Sequence, residues 1–282
     1  MGWKSCSGIE PPILLIGDSR IRMMSWYILD YYKSIVKVQT YEVENMKHVY
    51  KLSRENVTDW LAPEVSPSAL YGAKFKHRSF HHFNKNSQKV MSMLWDPLIR
   101  LTDDVIKNEF HSMKDKMRHG FTVVHLGAGA QIIYKLEQRE IPVLEKEEKV
   151  KQKIRNLQDR LHHRLVTLLN LSREINSTLI ILLDPHTDLH PVYFKNLDPP
   201  NFNITSLSKW AISVASKYPD VIIWDSHLHV TNIYRQLCRT SCANLGKWEW
   251  QECKDIVHPS KLVIRHYATM LMNFICHLLM KF

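Results

Sequence analysis

Six short runs of apolar, mostly β-branched residues punctuate the chain, at 13–16, 36–41, 90–94, 122–126, 178–183 and 221–224. Within them the apolar residues are consecutive rather than alternating, which marks strands covered on both faces. Elsewhere apolar residues return at three- and four-residue spacing and predict helices over 20–34, 103–117, 145–171, 206–217 and 260–280. The third helix is highly charged between 145 and 164, yet Leu161, Leu165, Leu168 and Leu169 repeat at helical spacing. It therefore reads as a solvated helix with one buried stripe. Strands and helices alternate, so the expected class is α/β, a parallel sheet between helices in three α/β/α layers. Two stretches, 42–87 and 235–254, break the rhythm and read as loop insertions over the carboxyl ends of the strands, where ligands bind in such folds. No linker divides the chain, and one domain over 1–282 is expected.

Composition narrows the picture. Hydrophobic residues make up 45% of 282 and charged residues 23%, the balance of a chain that buries its core without staples. Only 8 glycines are present, few for a Gly-rich nucleotide-binding protein. Lys and Arg number 38 against 28 Asp and Glu, a formal charge of +10, which favours anionic partners. No apolar run of about 18 residues encodes a membrane span. The first residues lack the apolar segment of a signal peptide, and Cys6 stands where a myristoylation motif wants Ser or Thr. As written, the chain reads as cytoplasmic. Sequons at Asn56, Asn170, Asn176 and Asn203, and the neighbouring Cys238, Cys242 and Cys253, point instead to a secretory lumen. The compartment stays open.

The chemistry concentrates at two places. The first strand runs into Gly17-Asp18-Ser19, followed at once by a helix carrying Arg20 and Arg22. A serine on such a turn sits at a helix N-terminus, where free N–H groups suit a developing oxyanion. The plainer reading is that Asp18 or Ser19 caps the helix. Before the last helix stands Asp255-Ile256-Val257-His258-Pro259. A serine nucleophile needs a base, and the base needs an acid that fixes its tautomer; an Asp three residues before a His supplies both. Arg20 and Arg22 are too close in sequence to share one helix face. Arg22 is the candidate anion-binding residue, and Arg20 reads as surface charge.

Gly-Asp-Ser after the first strand and Asp-x-x-His before the last helix together resemble the SGNH (GDSL-type) hydrolase superfamily. IGDSRIR and DIVHPSKLVIRHYATMLMNFICHLL are most similar to its PC-esterase branch, in particular to sialic acid O-acetyltransferases. SMLWDP at 92–97, VVHLGAGA at 123–130 and LLDP at 182–185 follow in the same order. The resemblance implies a flavodoxin-like fold with Ser19 as nucleophile, His258 as general base and Asp255 as its acid. It also implies oxyanion donors at the backbone of Ser19 and Gly127, while Gly129 replaces the Asn side chain that many members use. No bound cofactor is implied. The implied substrates are an anionic carbohydrate and an acyl donor, with acetyl-CoA as co-substrate if the chain is a transferase.

Rival readings come from other classes. A related fold could bind a glycan or protein without catalysis. Asp184, His186, Asp188 and His190, with Asp225, His227 and His229, follow strands and could serve a metal-dependent phosphoesterase, although no paired metal motif accompanies them. The run at 74–83 interleaves basic and aromatic residues like a single-strand-binding platform; no recognised nucleic-acid motif accompanies it, and a loop wall over an anionic substrate explains it equally.

Overall fold

The computed structural model describes residues 10–29, 31–32, 35–42, 48–53, 78–96, 101–117, 119–125, 143–183, 200–241 and 261–280. Eight strands form one sheet: β1 Ile13–Gly17, β2 Ile35–Glu42, β3 His48–Ser53, β4 Arg78–Asn84, β5 Lys89–Trp95, β6 Phe121–His125, β7 Thr178–Leu182 and β8 Val221–Trp224. Their order is β3-β2-β4-β5-β1-β6-β7-β8. The five from β5 to β8 in that order run parallel. Against them β4, β2 and β3 pair antiparallel, so the expectation of a wholly parallel sheet is corrected to a mixed one. The physical reason is connection length. Parallel neighbours need a crossover of a dozen or more residues, whereas antiparallel ones close through a short turn. Between β4 and β5 the turn is short and locally determined: Asn84 Oδ1 accepts from the Asn86 and Gln88 N–H groups at 3.0 Å, and Ser87 takes φ 57°. The segment 42–87, expected to be a loop insertion, thus contains β3 and β4.

Six helices are described: α1 Ser19–Leu29, α2 Asp103–Met117, α3 Val143–Glu174, α4 Pro200–Ala215, α5 Ser226–Ser241 and α6 Lys261–Leu279. α1 is shorter than the 20–34 expected, because its bonds tighten to i→i−3 at Tyr31 and Tyr32, and Tyr32 turns inward to donate to the Pro11 carbonyl. α4 begins earlier than 206, at Pro200, whose fixed φ and missing N–H suit a first helical turn. α5 covers the first part of the expected 235–254 insertion. Its histidine-rich sequence conceals an apolar face in which Leu228, Val230 and Tyr234 pack against the core.

β1 explains the continuous apolar runs. Its successive side chains enter two different clusters, as the period-2 alternation of a strand requires. Ile13 and Leu15 join Met24 and Ile28 of α1 and Ile264, Leu271 and Ile275 of α6. Leu14 and Ile16 join Ile106 and Phe110 of α2, the predicted Leu161, Leu165, Leu168 and Leu169 stripe of α3, and Val214 of α4. Among the described residues, α6 alone is long and apolar enough to cross a membrane, over Leu262–Leu279. Its inner face includes Ala268, Leu271 and Ile275, which are fully buried, while Leu262 is exposed.

Two polar networks interrupt this core. Glu109 of α2 accepts from Ser92 Oγ at 2.6 Å and Lys89 Nζ at 2.9 Å, with His81 Nε2 3.4 Å away. On β4 the next residue, His82, meets the Trp26 ring edge-on. Both histidines are buried, so His81 and His82 of the basic-aromatic run pack inward from a strand and do not form a solvent-facing platform. Asp96, just after β5, pairs with Arg164 Nη1 of α3 at 2.6 Å and accepts the Leu101 N–H at 3.2 Å. The Asp96 N–H donates to Gly17 O at 2.8 Å, which ties the end of β5 to the end of β1.

Candidate active site at the carboxyl edge of the sheet

The four parallel neighbours β1, β6, β7 and β8 all end at one edge, and a polar group follows each. Asp18 follows β1 and His125 ends β6, while Leu183 follows β7 and His227 sits at the start of α5 just after β8. The turn after β1 is the tightest part. A Cβ on Gly17 would lie 2.8 Å from Ile21 Cγ1 and 3.0 Å from His125 Cβ, so only glycine lets β1, α1 and β6 approach this closely. Gly17→Ala is expected to lower stability by about 1–3 kcal/mol, the cost of overpacking, as read from the thermal midpoint. A neutral result would mean that Ile21 moves aside freely.

Asp18 is the N-cap of α1. Its carbonyl accepts the first helical bond from the Arg22 N–H at 3.0 Å, and its Oδ1 accepts the Arg20 N–H at 2.9 Å. Its Oδ2 takes two further bonds from the Arg20 guanidinium, at 3.2 and 3.1 Å. His125 Nδ1 sits 3.2 Å from Oδ1. Burial pushes this carboxyl upward, but Arg20 and then His125 outweigh it and hold Asp18 well below the usual carboxylate range. The capping reading therefore belongs to Asp18, and Ser19 occupies the first helical position beyond it. There the main-chain N–H groups carry the positive end of the helix.

His227 closes the edge. Its Nε2 lies 2.7 Å from Leu183 O; a carbonyl only accepts, so Nε2 carries the proton. The ring stacks on Trp224 with centroids 4.9 Å apart and meets Tyr267 edge-on. Burial, reinforced by His125 and Arg20, pushes its pKa down to about 3 despite the Leu183 carbonyl. His227 is therefore a neutral imidazole that packs β7 and β8 against α5 and α6. Asp225 and His229 of the same motif face solvent, and no group of three metal-ligating side chains occurs among the described residues. An open cavity between α2 and α3 is lined by Asp103, His163 and Arg164, none of which belongs to the Asp18 cluster.

The fate of each expected site residue is as follows. Ser19 opens α1 by its main chain, while its side chain lies outside the described residues, as do Asp255, His258, Gly127 and Gly129. The carbohydrate-site candidate Arg22 and its neighbour Arg20 are both buried, 6% and 5% exposed. The reading of Arg20 as surface charge is corrected. It is the counter-ion of Asp18, drawn inward because the capping carboxylate needs one. Asp184, His186, Asp188 and His190 lie outside the described residues, as do Cys242 and Cys253. Sequence reasoning missed His125. The signal was a titratable residue ending an otherwise apolar strand, TVVH, at the same edge as Gly17-Asp18-Ser19.

Compared with known proteins, the chain matches no protein-family model and no curated protein.

Proposed function

We propose that this chain is a serine-dependent acyl transferase or esterase of SGNH type, with the three-layer flavodoxin-like arrangement of that superfamily. The observation that carries the reading is the local geometry of Gly17-Asp18-Ser19. A buried parallel strand of the sheet ends on a glycine that admits no Cβ, Asp18 performs the capping, and the serine stands at the positive end of α1. The Asp255-x-x-His258 motif supplies the partners such a serine requires.

In the proposed reaction Ser19 Oγ bonds to the acyl carbon as His258 takes the hydroxyl proton, with Asp255 orienting the imidazole. The tetrahedral oxyanion is held by the N–H groups of Ser19 and Gly127, with Gly129 beside them. The bond to the leaving alcohol or thiol breaks, and that group departs with the proton from His258. Water or a sugar hydroxyl then gives its proton to His258 and bonds to the acyl carbon, the bond to Ser19 Oγ breaks, and His258 returns that proton to Oγ. The formal charge of +10 favours an anionic acceptor such as a sialic acid, with an acetyl ester or acetyl-CoA as donor.

The test pairs an acetyl-ester assay with covalent labelling by a fluorophosphonate. Wild type is expected to label at Ser19, and Ser19→Ala to lose both the label and hydrolysis by about 10³-fold or more. Equal hydrolysis by the two proteins, with no label on Ser19, would remove the catalytic claim and leave a non-catalytic glycan- or protein-binding module.

A further inference from the structure

We infer that Asn176 carries an N-linked glycan and that the protein resides in an oxidising, secretory compartment. The inference is independent of the acyl-transfer reading. Two separate observations meet in it, one from a turn and one from a helix on the other side of the sheet.

The first is the turn. Asn176-Ser177-Thr178 is a sequon, and it coincides with the end of α3. The Ser177 N–H donates to Ser172 O at 2.8 Å and the Asn176 N–H to Arg173 O at 3.2 Å. These are the paired bonds of a Schellman motif, with Asn176 at φ 53° in its left-handed position. The turn leaves the Asn176 side chain exposed, the surface-loop setting of a glycan acceptor. Its Nδ2 reaches His119 Nδ1 at 3.4 Å. A glycosylated amide keeps one N–H, so that contact survives the modification. The other fully described sequon asparagine, Asn170, is also exposed, but it sits inside α3 with Ser172 of its motif buried.

Location makes the modification compatible with function. Thr178 begins β7, so the turn lies at the amino edge of the parallel strands. Asp18, His125 and His227 lie at the carboxyl edge, and a bulky sugar on Asn176 leaves that edge open.

The second observation favours the same compartment. Cys276 of α6 is disulfide-bonded. Disulfides persist in secreted and lumenal proteins and are rare where glutathione keeps thiols reduced. The same compartment holds the donor for asparagine glycosylation, a lipid-pyrophosphate oligosaccharide. In the transfer, the Asn176 amide nitrogen bonds to the anomeric carbon of the sugar. The sugar–phosphate bond breaks, the lipid pyrophosphate leaves, and the amide gives up one proton to the medium.

The chain is tested as expressed from its complete coding sequence in eukaryotic cells. The peptide containing Asn176 is weighed before and after peptide N-glycosidase F. It is expected to carry a sugar mass before digestion and an aspartate at the position of Asn176 afterwards. Asn176→Gly keeps the left-handed cap and Thr178→Val keeps a β-branched strand residue, so each should yield folded protein without this glycan. A bare Asn176 in the wild-type peptide overturns the inference. So does a Cys276 thiol that alkylates without prior reduction.

Discussion

Mild acid is expected to unfold this protein, with most of its stability lost between about pH 6 and pH 4. Burial is the chief cause of low pKa values at three histidines: His81 falls to about 4, and His82 and His227 to about 3. In the unfolded chain each returns to about 6.5. The folded values are depressed, so below about pH 6.5 the unfolded state binds protons that the folded state refuses, and stability falls with pH. Each such proton is worth about 1.4 kcal/mol per pH unit. Three of them over about two units amount to on the order of 8 kcal/mol, comparable to the whole stability of a typical domain. Asp18 and Glu109 act in the same direction further into acid. Burial opposes their ionisation, but Arg20 and His125 for the first, and His81 and Lys89 for the second, hold both below the ordinary range. Their contribution is present above the unfolded carboxylate pKa and lost as pH falls through the folded one. Urea unfolding midpoints at constant ionic strength, taken from about pH 7 down to about pH 4.5, measure the effect. A midpoint that stays flat across that range contradicts it. His82→Leu should reduce the slope by about one proton, and the fold should tolerate it, because among the described residues neither ring nitrogen of His82 has a hydrogen-bond partner.

Asp18→Asn should cost about 3–5 kcal/mol, the penalty for breaking a buried ion pair by neutralising one of its members. The size separates two roles of one side chain. The amide of Asn still offers an oxygen to the Arg20 N–H, so the cap is retained, and losing a cap altogether costs only about 1 kcal/mol. What Asn removes is the negative charge, while the Arg20 guanidinium remains 5% exposed. Adding Arg20→Met to Asp18→Asn should recover much of the loss, giving a double variant far more stable than the summed single effects. A cost under about 1 kcal/mol for Asp18→Asn would show that the cap, and not the ion pair, holds the turn. On the proposed acyl-transfer reading, the double variant, where it folds, should hydrolyse an acetyl ester more slowly than wild type, because the charges around the first turn of α1 have been deleted.

The parallel half of the sheet was legible because the information is local. Ile13-Leu14-Leu15-Ile16 can only be buried on both faces, and a glycine and an aspartate then mark the strand end and helix start. The Leu161 to Leu169 stripe declared the buried face of α3 in the same way. β4 was hidden because Arg78-Ser79-Phe80-His81-His82-Phe83 carries its strand character in distant partners: β5 pairs with it, Glu109 approaches His81, and Trp26 covers His82. α5 was hidden because its histidines drew attention from the apolar face of Leu228, Val230 and Tyr234. At the candidate site, Asp18 as a cap could be weighed from sequence, since capping is a short-range effect. The contact of His125 with Asp18 could not, because it exists only once β6 lies beside β1.

That adjacency also bears on how the chain reaches its native state. Ile13 pairs with Met91 on one side and Phe121 on the other, and α6, near the far end of the described chain, covers α1. The strand at the heart of the sheet is thus made early and completed late. Contacts of such wide sequence separation slow folding. During synthesis, the apolar surface of β1 and α1 must remain uncovered until most of the chain exists. Until it is covered, such surface is prone to aggregation.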